Sequence, residues 1–343
     1  MAKKILLINK SLCFGGIETV MQTQYFSFSK EHDVDILLFK RENISDINDN
    51  NIDYFDQYKS LKKFMNNKEK DRKYDLIICH AQSERICKQV KSLKRNNVLY
   101  VIHGMQSKKL LNGNFFARYL RKKRKQALYK NENLVTVSNA VKKDIEAMNI
   151  KPKKLETIYN PFNVDKIMNL SRQSVEKYLP EKYIVWVGRI SEVKNLPLLF
   201  EIYKYISSQY ELVIVGDGND KLLNELKRKA KSMNIEDRVH FIGSRKNPYP
   251  YINNADALIL TSKEEGLPTV IIEALILHTP VFGVDIPAVN ELLSKYYRQG
   301  LLQETPKKMS VIIEKNIFSE FDSKKVQKDF SSSVLSIKYI NYL

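Results

Sequence analysis

Ser262-Lys-Glu-Glu-Gly-Leu-Pro-Thr-Val-Ile-Ile-Glu-Ala-Leu275 decides the fold of this chain. An apolar run, Ala257 to Thr261, precedes it and reads as a buried strand. The pattern breaks at Gly266 and Pro268 and becomes helical from Thr269 to about Leu277. A strand, a tight loop and a helix follow one another. Pro268 is expected within the first helical turn, where its missing N–H does no harm, so the amides of Leu267, Thr269 and Val270 are left pointing out of the helix N-terminus. Such an end attracts anions, phosphate above all. Glu265 lies in the loop and Glu273 about a turn into the helix. Carboxylates do not approach phosphate, but they hydrogen-bond sugar hydroxyls well. The stretch therefore fits a ligand with phosphate at its centre and hydroxyls at both ends, such as a nucleotide sugar. The plainer alternative is two solvated glutamates that the helix dipole favours.

Working outward, four more strands share this half: Tyr183 to Gly188, Leu212 to Gly216, Arg238 to Ile242 and Pro280 to Gly283, with helical segments between them. Strands alternating with helices imply right-handed crossovers and a parallel sheet. Such sheets bind ligands beyond the carboxyl ends of their strands. Val187-Gly-Arg-Ile-Ser-Glu-Val-Lys-Asn195 sits at one such end and offers Gly188, Arg189 and Lys194. Two cations there would neutralise a diphosphate and stabilise the charge that builds as a glycosidic bond breaks. Each by itself reads equally as a solvated surface charge. Val215-Gly-Asp-Gly218 makes the next strand exit, with Asp217 and Gly218 beside the same region. Phe241-Ile-Gly-Ser-Arg245 makes the one after it.

The first half repeats the alternation. Strand-like runs stand at 4–9, 33–39, 75–80, 97–102, 134–138 and 155–159. Residues 40–73, rich in Asn, Asp and Lys, are expected to be an irregular, exposed connection, and strands are expected to cease after about residue 300. Phe14-Gly-Gly-Ile-Glu18 opens the first helix, and Gly15 and Gly16 would let a phosphate approach its N-terminus, although paired glycines are more often simply a turn. His103 follows the strand ending at Ile102, a place where histidines are more often structural than catalytic. His32, His80, His240 and His278 show no metal spacing. Asp33 and Asp35 look like a metal pair, but they open a strand with alternating faces and are expected at a sheet edge.

Glu265-Gly-x-Pro268, then Glu273-Ala, directly after Thr261-Ser262, resembles the glutamate pair of retaining glycosyltransferases of family 4, which have the GT-B fold. Gly188-Arg189 followed by Lys194 resembles that family's diphosphate clamp. The resemblance implies an α/β architecture of two Rossmann-like parallel-sheet domains facing a cleft, with the C-terminal helix crossing back. The domains would be residues 1–165 for the acceptor and 166–325 for the nucleotide sugar, with 326–343 returning to the first. It further implies roles. Arg189, Lys194, Glu265 and His103 would act on the donor and its transferred sugar. Glu273 would hold the ribose, and Gly15, Gly16, Gly188, Asp217, Gly218, Gly266, Leu267, Thr269 and Val270 would line the donor site. Arg245 would lie near the base. The chain departs from the family at Gly283-Val-Asp-Ile-Pro-Ala-Val-Asn-Glu291, where Ile286-Pro287 replaces a frequent Gly-Gly pair.

Composition narrows the partners. A length of 343 residues suits two domains of about 150 to 170 residues each. The formal charge of +18 points to an anionic partner: membrane lipid, nucleic acid or a phosphorylated substrate. Cys13, Cys79 and Cys87 form no Cys-x-x-Cys pair and read as reduced core thiols of a cytosolic protein. No hydrophobic stretch approaches the ~18 residues of a membrane span, and the run Ile5 to Ile8 is too short for a signal-peptide core. Residues 115–129, Phe-Phe-Ala-Arg-Tyr-Leu-Arg-Lys-Lys-Arg-Lys-Gln-Ala-Leu-Tyr, place apolar positions and six cations at helical spacing, as a segment lying on an anionic leaflet would. The alternatives are the charged face of a buried helix or, less well supported, a nucleic-acid contact, since no stacking platform or nucleic-acid motif accompanies the charge.

These readings describe a bacterial retaining hexosyltransferase. It would move a hexose or N-acetylhexosamine from a nucleotide sugar, with UDP favoured by resemblance, to a lipid-linked glycan or a lipopolysaccharide or capsule acceptor. It would work without metal or other cofactor and without nucleic acid, peripherally on the inner face of the cytoplasmic membrane. A nucleotide-sugar epimerase on the same fold, or a basic nucleic-acid- or membrane-binding protein, are the competing readings.

Overall fold

The structure is a computed structural model that describes residues 2–12, 15–43, 45–58, 60–80, 83–110, 114–175 and 179–342. Cys13 and Phe14 lie outside the described residues. The chain divides into two compact units: Met1–Phe162 with Phe330–Leu343, and Asn163–Asp329.

The first unit runs β1 (Lys4–Asn9), α1 (Gly16–Phe28), β2 (Asp33–Leu38), β3 (Ile52–Tyr54), α2 (Leu61–Lys68), β4 (Leu76–His80) and α3 (Glu84–Lys91). It continues with β5 (Val98–Ile102), α4 (Phe115–Tyr129), β6 (Asn133–Thr136), α5 (Asn139–Ala147) and β7 (Lys154–Thr157). Its seven strands lie in the order β3-β2-β1-β4-β5-β6-β7, all parallel. Every residue of β4 and β5 is buried, as a parallel sheet covered by helices on both faces requires.

The second unit runs α6 (Val164–Ser171), β8 (Tyr183–Val187), α7 (Leu196–Tyr203), β9 (Glu211–Val215), α8 (Asp220–Ser232), β10 (Val239–Gly243), α9 (Tyr249–Asn253) and β11 (Ala257–Leu260). Then come α10 (Thr269–Ile276), β12 (Val281–Val284), α11 (Pro287–Tyr296), β13 (Leu301–Leu302), α12 (Pro306–Asn316) and α13 (Ser323–Phe330). Its parallel sheet has the order β10-β9-β8-β11-β12-β13. Relative to its own first strand, each sheet follows the doubly wound order 3-2-1-4-5-6, the first unit adding a seventh strand. The winding reverses between β1 and β4 in one and between β8 and β11 in the other, and ligand crevices form at such reversals.

The last helix, α14 (Ser332–Ile340), belongs to the first unit. Phe162 N–H donates to the Phe330 carbonyl and Ser332 N–H to the Phe162 carbonyl, both at 2.8 Å. Leu335 and Tyr339 are buried, and the Tyr342 hydroxyl donates to the Leu134 carbonyl at 2.8 Å.

Two expectations need correction. Residues 40–73 are not an irregular connection, because they hold β3 and α2, with Ile52, Leu61, Phe64 and Met65 buried. A few apolar residues sufficed to anchor them among many polar ones. Strands continue past residue 300, since Leu301–Leu302 pairs with Gly283 and Val284 as the edge strand β13. Asp33 and Asp35 do lie along the sheet edge, because β3 pairs only with Ile36 to Leu38 and leaves the start of β2 uncovered. Asp35 accepts from the Tyr74 hydroxyl at 2.6 Å and faces Lys68 at 3.8 Å. Cys79 and Cys87 are buried free thiols.

Candidate active site

In the second unit, three adjacent parallel strands end in glycine. Gly188 (φ 155°), Gly216 (φ 156°) and Gly243 (φ 77°) follow or close β8, β9 and β10. Their turns are stitched together: Gly188 N–H donates to the Val215 carbonyl, Gly216 N–H to the Gly243 carbonyl, and Ile190 N–H to the Asp217 carbonyl. A Cβ on Gly216 would overlap the Gly188 carbonyl, and one on Gly218 would come 2.6 Å from the Ile190 carbonyl. Only glycine allows these exits to close on one another. They hold the Arg189–Lys194 loop over the sheet end, where Arg189 is exposed and lines a depression of about 890 Å³ with Asp217 and Gly218.

The same loop is tied across the β8/β11 reversal. Thr261 Oγ1 donates to the Lys194 and Asn195 carbonyls at 3.2 and 3.1 Å, and Lys263 N–H to the Val193 carbonyl at 2.8 Å. Lys194 Nζ is therefore delivered to Glu265, 2.6 Å from Oε1, with the two side chains 23% and 13% exposed. The proposed diphosphate cation and the proposed sugar carboxylate are each other's partners before any ligand arrives.

Helix α10 starts at Thr269 with Pro268 as its N-cap rather than inside its first turn, because Pro268 has the non-helical ψ of 87°. The Pro268 carbonyl accepts from Ile271 N–H at 3.1 Å, so the amides of Thr269 and Val270 precede the helix's own bonding. Leu267 and Val270 are buried beneath this end, and Gly266 and Thr269 are half-buried. The rest of α10 is buried on nearly every side, with Ile271, Ile272, Ala274, Leu275 and Ile276 inaccessible. Glu273 interrupts it. This carboxylate keeps a narrow opening to solvent but has no hydrogen-bond or ion-pair partner among the described residues, and desolvation raises it to about 7. An unpaired buried carboxylate costs stability, and a helix that tolerates one is holding it for something outside the fold. The neighbouring Tyr249 hydroxyl is raised by burial and by the Glu273 charge. Ser262, also buried, has an unpartnered hydroxyl in the loop before α10.

Arg245 is engaged locally, donating from Nε to the Tyr251 hydroxyl at 3.2 Å and from a terminal nitrogen to the Ser244 carbonyl at 3.0 Å. In the first unit, Gly15 caps α1 and Gly16 begins it, with Glu18 in the first turn. His103 stands just past β5, its Nε2 2.9 Å from His80 Nδ1. Among the described residues, no three His, Cys, Asp or Glu side chains converge as a metal site.

Helix α4 divides between two of the readings. Leu128 and Tyr129 at its C-terminal end are buried in the core, but Phe115 is 84% exposed, Phe116 67% and Tyr119 49%. Lys125, in contrast, is buried and donates to Gln106 Oε1 at 2.7 Å, so it does not belong to the solvated basic face. No helix among the described residues is long and apolar enough to cross a membrane.

A paired cation and carboxylate, a second unpaired carboxylate and a helix N-terminus thus meet at the reversal of a doubly wound sheet of the GT-B kind. Residues 168–328 match the family model described as Glycosyl transferases group 1, and residues 14–166 the one described as Glycosyltransferase Family 4. It is 33% identical over 132 residues to a Campylobacter jejuni N-acetylgalactosaminyltransferase acting on a diphospho-undecaprenol-linked sugar, covering 38% of this chain and 35% of that protein. It is 25% identical over 190 residues to the capsular polysaccharide biosynthesis glycosyltransferase CapH of Staphylococcus aureus, covering 54% and 52%. The chain spans about a third to a half of the length of such curated relatives. Anabaena Alr3699/HepE, solved with UDP and glucose, shares the fold with a TM-score of 0.80 at 16% identity, over 99% of each chain.

His80, Gln24, Thr261 and Ser262 are the site-related residues that sequence reasoning passed over. His80 ends β4 as His103 follows β5, and two histidines at the carboxyl ends of successive strands were the available signal.

Proposed function

We propose that the protein is a retaining glycosyltransferase that moves a hexose or N-acetylhexosamine from a UDP-sugar to a lipid-linked glycan destined for lipopolysaccharide or capsule. The observation that carries this reading is Glu273, an unpartnered carboxylate on an otherwise apolar helix, with the Lys194–Glu265 pair beside the same loop. Glu273 takes the ribose diol. The diphosphate settles on the amides of Thr269 and Val270 and draws Lys194 and Arg189 to it. Glu265, released from Lys194 or sharing it, accepts hydroxyls of the sugar, and His103 contacts that sugar as well.

As the bond from the anomeric carbon to the diphosphate breaks, charge gathers on the leaving oxygen and Arg189 and Lys194 stabilise it. The acceptor oxygen bonds to the same face of that carbon and passes its proton to the departing diphosphate. No metal is required for this charge balance. The relatives that act on lipid-linked and capsular glycans support the acceptor class, and the structure solved with UDP supports the base.

Helix α4 lays Phe115, Phe116 and Tyr119 into the inner leaflet of the cytoplasmic membrane while Arg118, Lys122, Lys123 and Arg124 meet its anionic headgroups.

A thermal-shift screen of UDP-, GDP- and ADP-sugars tests the donor. At ~100 times its dissociation constant the right one adds ~2.7 kcal/mol. Glu273→Ala should abolish that shift, and an unchanged shift removes Glu273 from the site. Incubation with donor alone should leave the sugar's configuration intact, whereas its conversion to an epimer would replace this reading with the epimerase.

A further inference from the structure

A chain of polar side chains runs back from His103 into the first unit, and its members behind His103 have no part in the chemistry above. His80, wholly buried at the end of β4, has Nδ1 2.9 Å from His103 Nε2 and Nε2 3.0 Å from Gln24 Oε1 on α1. The two imidazoles stack with centroids 5.1 Å apart and planes 22° from parallel. Register explains the meeting: His80 lies opposite Val101, so the histidines leave neighbouring parallel strands at the same carboxyl end of the sheet. The chain ends there: among the described residues Gln24 Nε2 has no hydrogen-bond partner, and neither has the buried Tyr339 hydroxyl of the returning helix α14.

The proton directions along this chain follow from His80. Burial depresses its imidazole to about 3, so at neutral pH it carries a single N–H. With Gln24 presenting Oε1, that hydrogen is on His80 Nε2, and Nδ1 must accept. His103 then gives its Nε2–H to His80 in both its neutral and its charged form. The arrangement cannot shuttle protons through His80, but it can hold a ring still.

We propose that His80 is a positioning residue that fixes the ring plane and the Nε2–H form of His103, with Gln24 holding His80 in turn, so that the transferred sugar meets one defined His103. The inference rests on the reading that His103 contacts that sugar.

The test separates the two nitrogens of His80. His80→Asn keeps an acceptor at the Nδ1 position, His80→Gln reaches only toward the Nε2 position, and His80→Leu keeps neither. Activity is read as UDP release from UDP-glucose and UDP-N-acetylglucosamine, folding as the thermal melt, and the His103 tautomer by imidazole ¹⁵N correlation spectra. His80→Leu and His80→Gln should lose roughly 10- to 100-fold in kcat with donor KM changed less than about threefold, and His103 should become a tautomer mixture. His80→Asn should recover most of both. Folded His80→Leu with wild-type kcat and an unshifted His103 tautomer overturns the proposal, as does His80→Asn behaving like His80→Leu. His103→Ala is the control: if it costs no activity, the sugar contact has failed, and the ¹⁵N spectra of the His80 variants alone then decide whether His80 sets His103.

Discussion

The two units share one doubly wound order and carry opposite chemistry at its reversal. In the second, charge is concentrated: Lys194 on Glu265, Arg189 beside Asp217, and Glu273 alone in an apolar helix. In the first, the corresponding sheet end is quiet, with glycines opening α1 and two stacked histidines, one of them held neutral by burial. The contrast teaches that the topology fixes where a ligand goes, while the residues on the strand exits decide what it is. The charged end suits the leaving diphosphate, and the neutral end suits hydroxyl groups.

The comparison breaks most readily at Lys194. Lys194→Ala should lower kcat about 10²- to 10³-fold, since it removes a charge used as the leaving group departs, and steady-state kinetics with the preferred donor would read it. His103→Ala should cost less, because it sits at the uncharged end. Equal losses would erase the distinction between the ends.

Next in size is Gly216→Ala. Its Cβ has no room against the Gly188 carbonyl, so the stitched exits of β8 and β9 must part, at a cost of about 3 kcal/mol or more, read in a denaturant melt. Gly104, two residues past β5 in the first unit, is the contrast: a Cβ there meets nothing within 4 Å, and Gly104→Ala should change stability little.

Glu273→Gln should stabilise the ligand-free protein while weakening donor binding. The folded protein holds this carboxyl's proton to about 7 against 4.5 for the ordinary group, so it binds more protons than the unfolded chain between those values, and stability falls as pH rises through that window. Above pH 7 the glutamine variant should therefore be more stable than the wild type by up to about 3 kcal/mol, and below pH 4.5 the two should converge. A melt at pH 8 showing no gain would mean that Glu273 ionises freely. In the wild type, donor affinity should weaken below pH 7 as the carboxylate is protonated.

The smallest effect belongs to α4. Phe115→Ser with Phe116→Ser should reduce partition onto phosphatidylglycerol vesicles by about tenfold without altering UDP release in solution, because each ring loses only part of its burial in lipid. Undiminished partition would remove this face from the membrane assignment.

Much of this was legible in the sequence for a physical reason. Strong periodicity marked β1, β4, β5, β8, β9, β11 and α10, and the pattern set Arg189, Lys194 and Glu265 in the loops beyond strand ends and Glu273 in the helix after them. Less legible was whatever depends on a partner distant in sequence. Ile52 and Leu61 turn a polar stretch into a strand and a helix only because a core receives them. The Lys194–Glu265 bond joins residues 71 positions apart, and the burial of Lys125 depends on Gln106 and Glu84. His80 looked idle because metal spacing was sought, whereas its work is with the neighbouring strand.

The proposed function stands on the charged reversal of the second unit gripping a sugar diphosphate. A crystal structure with an intact UDP-sugar decides it. It should show the diphosphate on the Thr269 and Val270 amides within reach of Arg189 and Lys194, the Lys194–Glu265 contact rearranged, and the ribose diol on Glu273. Donor bound elsewhere, or Arg189 and Lys194 turned away from the diphosphate, would contradict it.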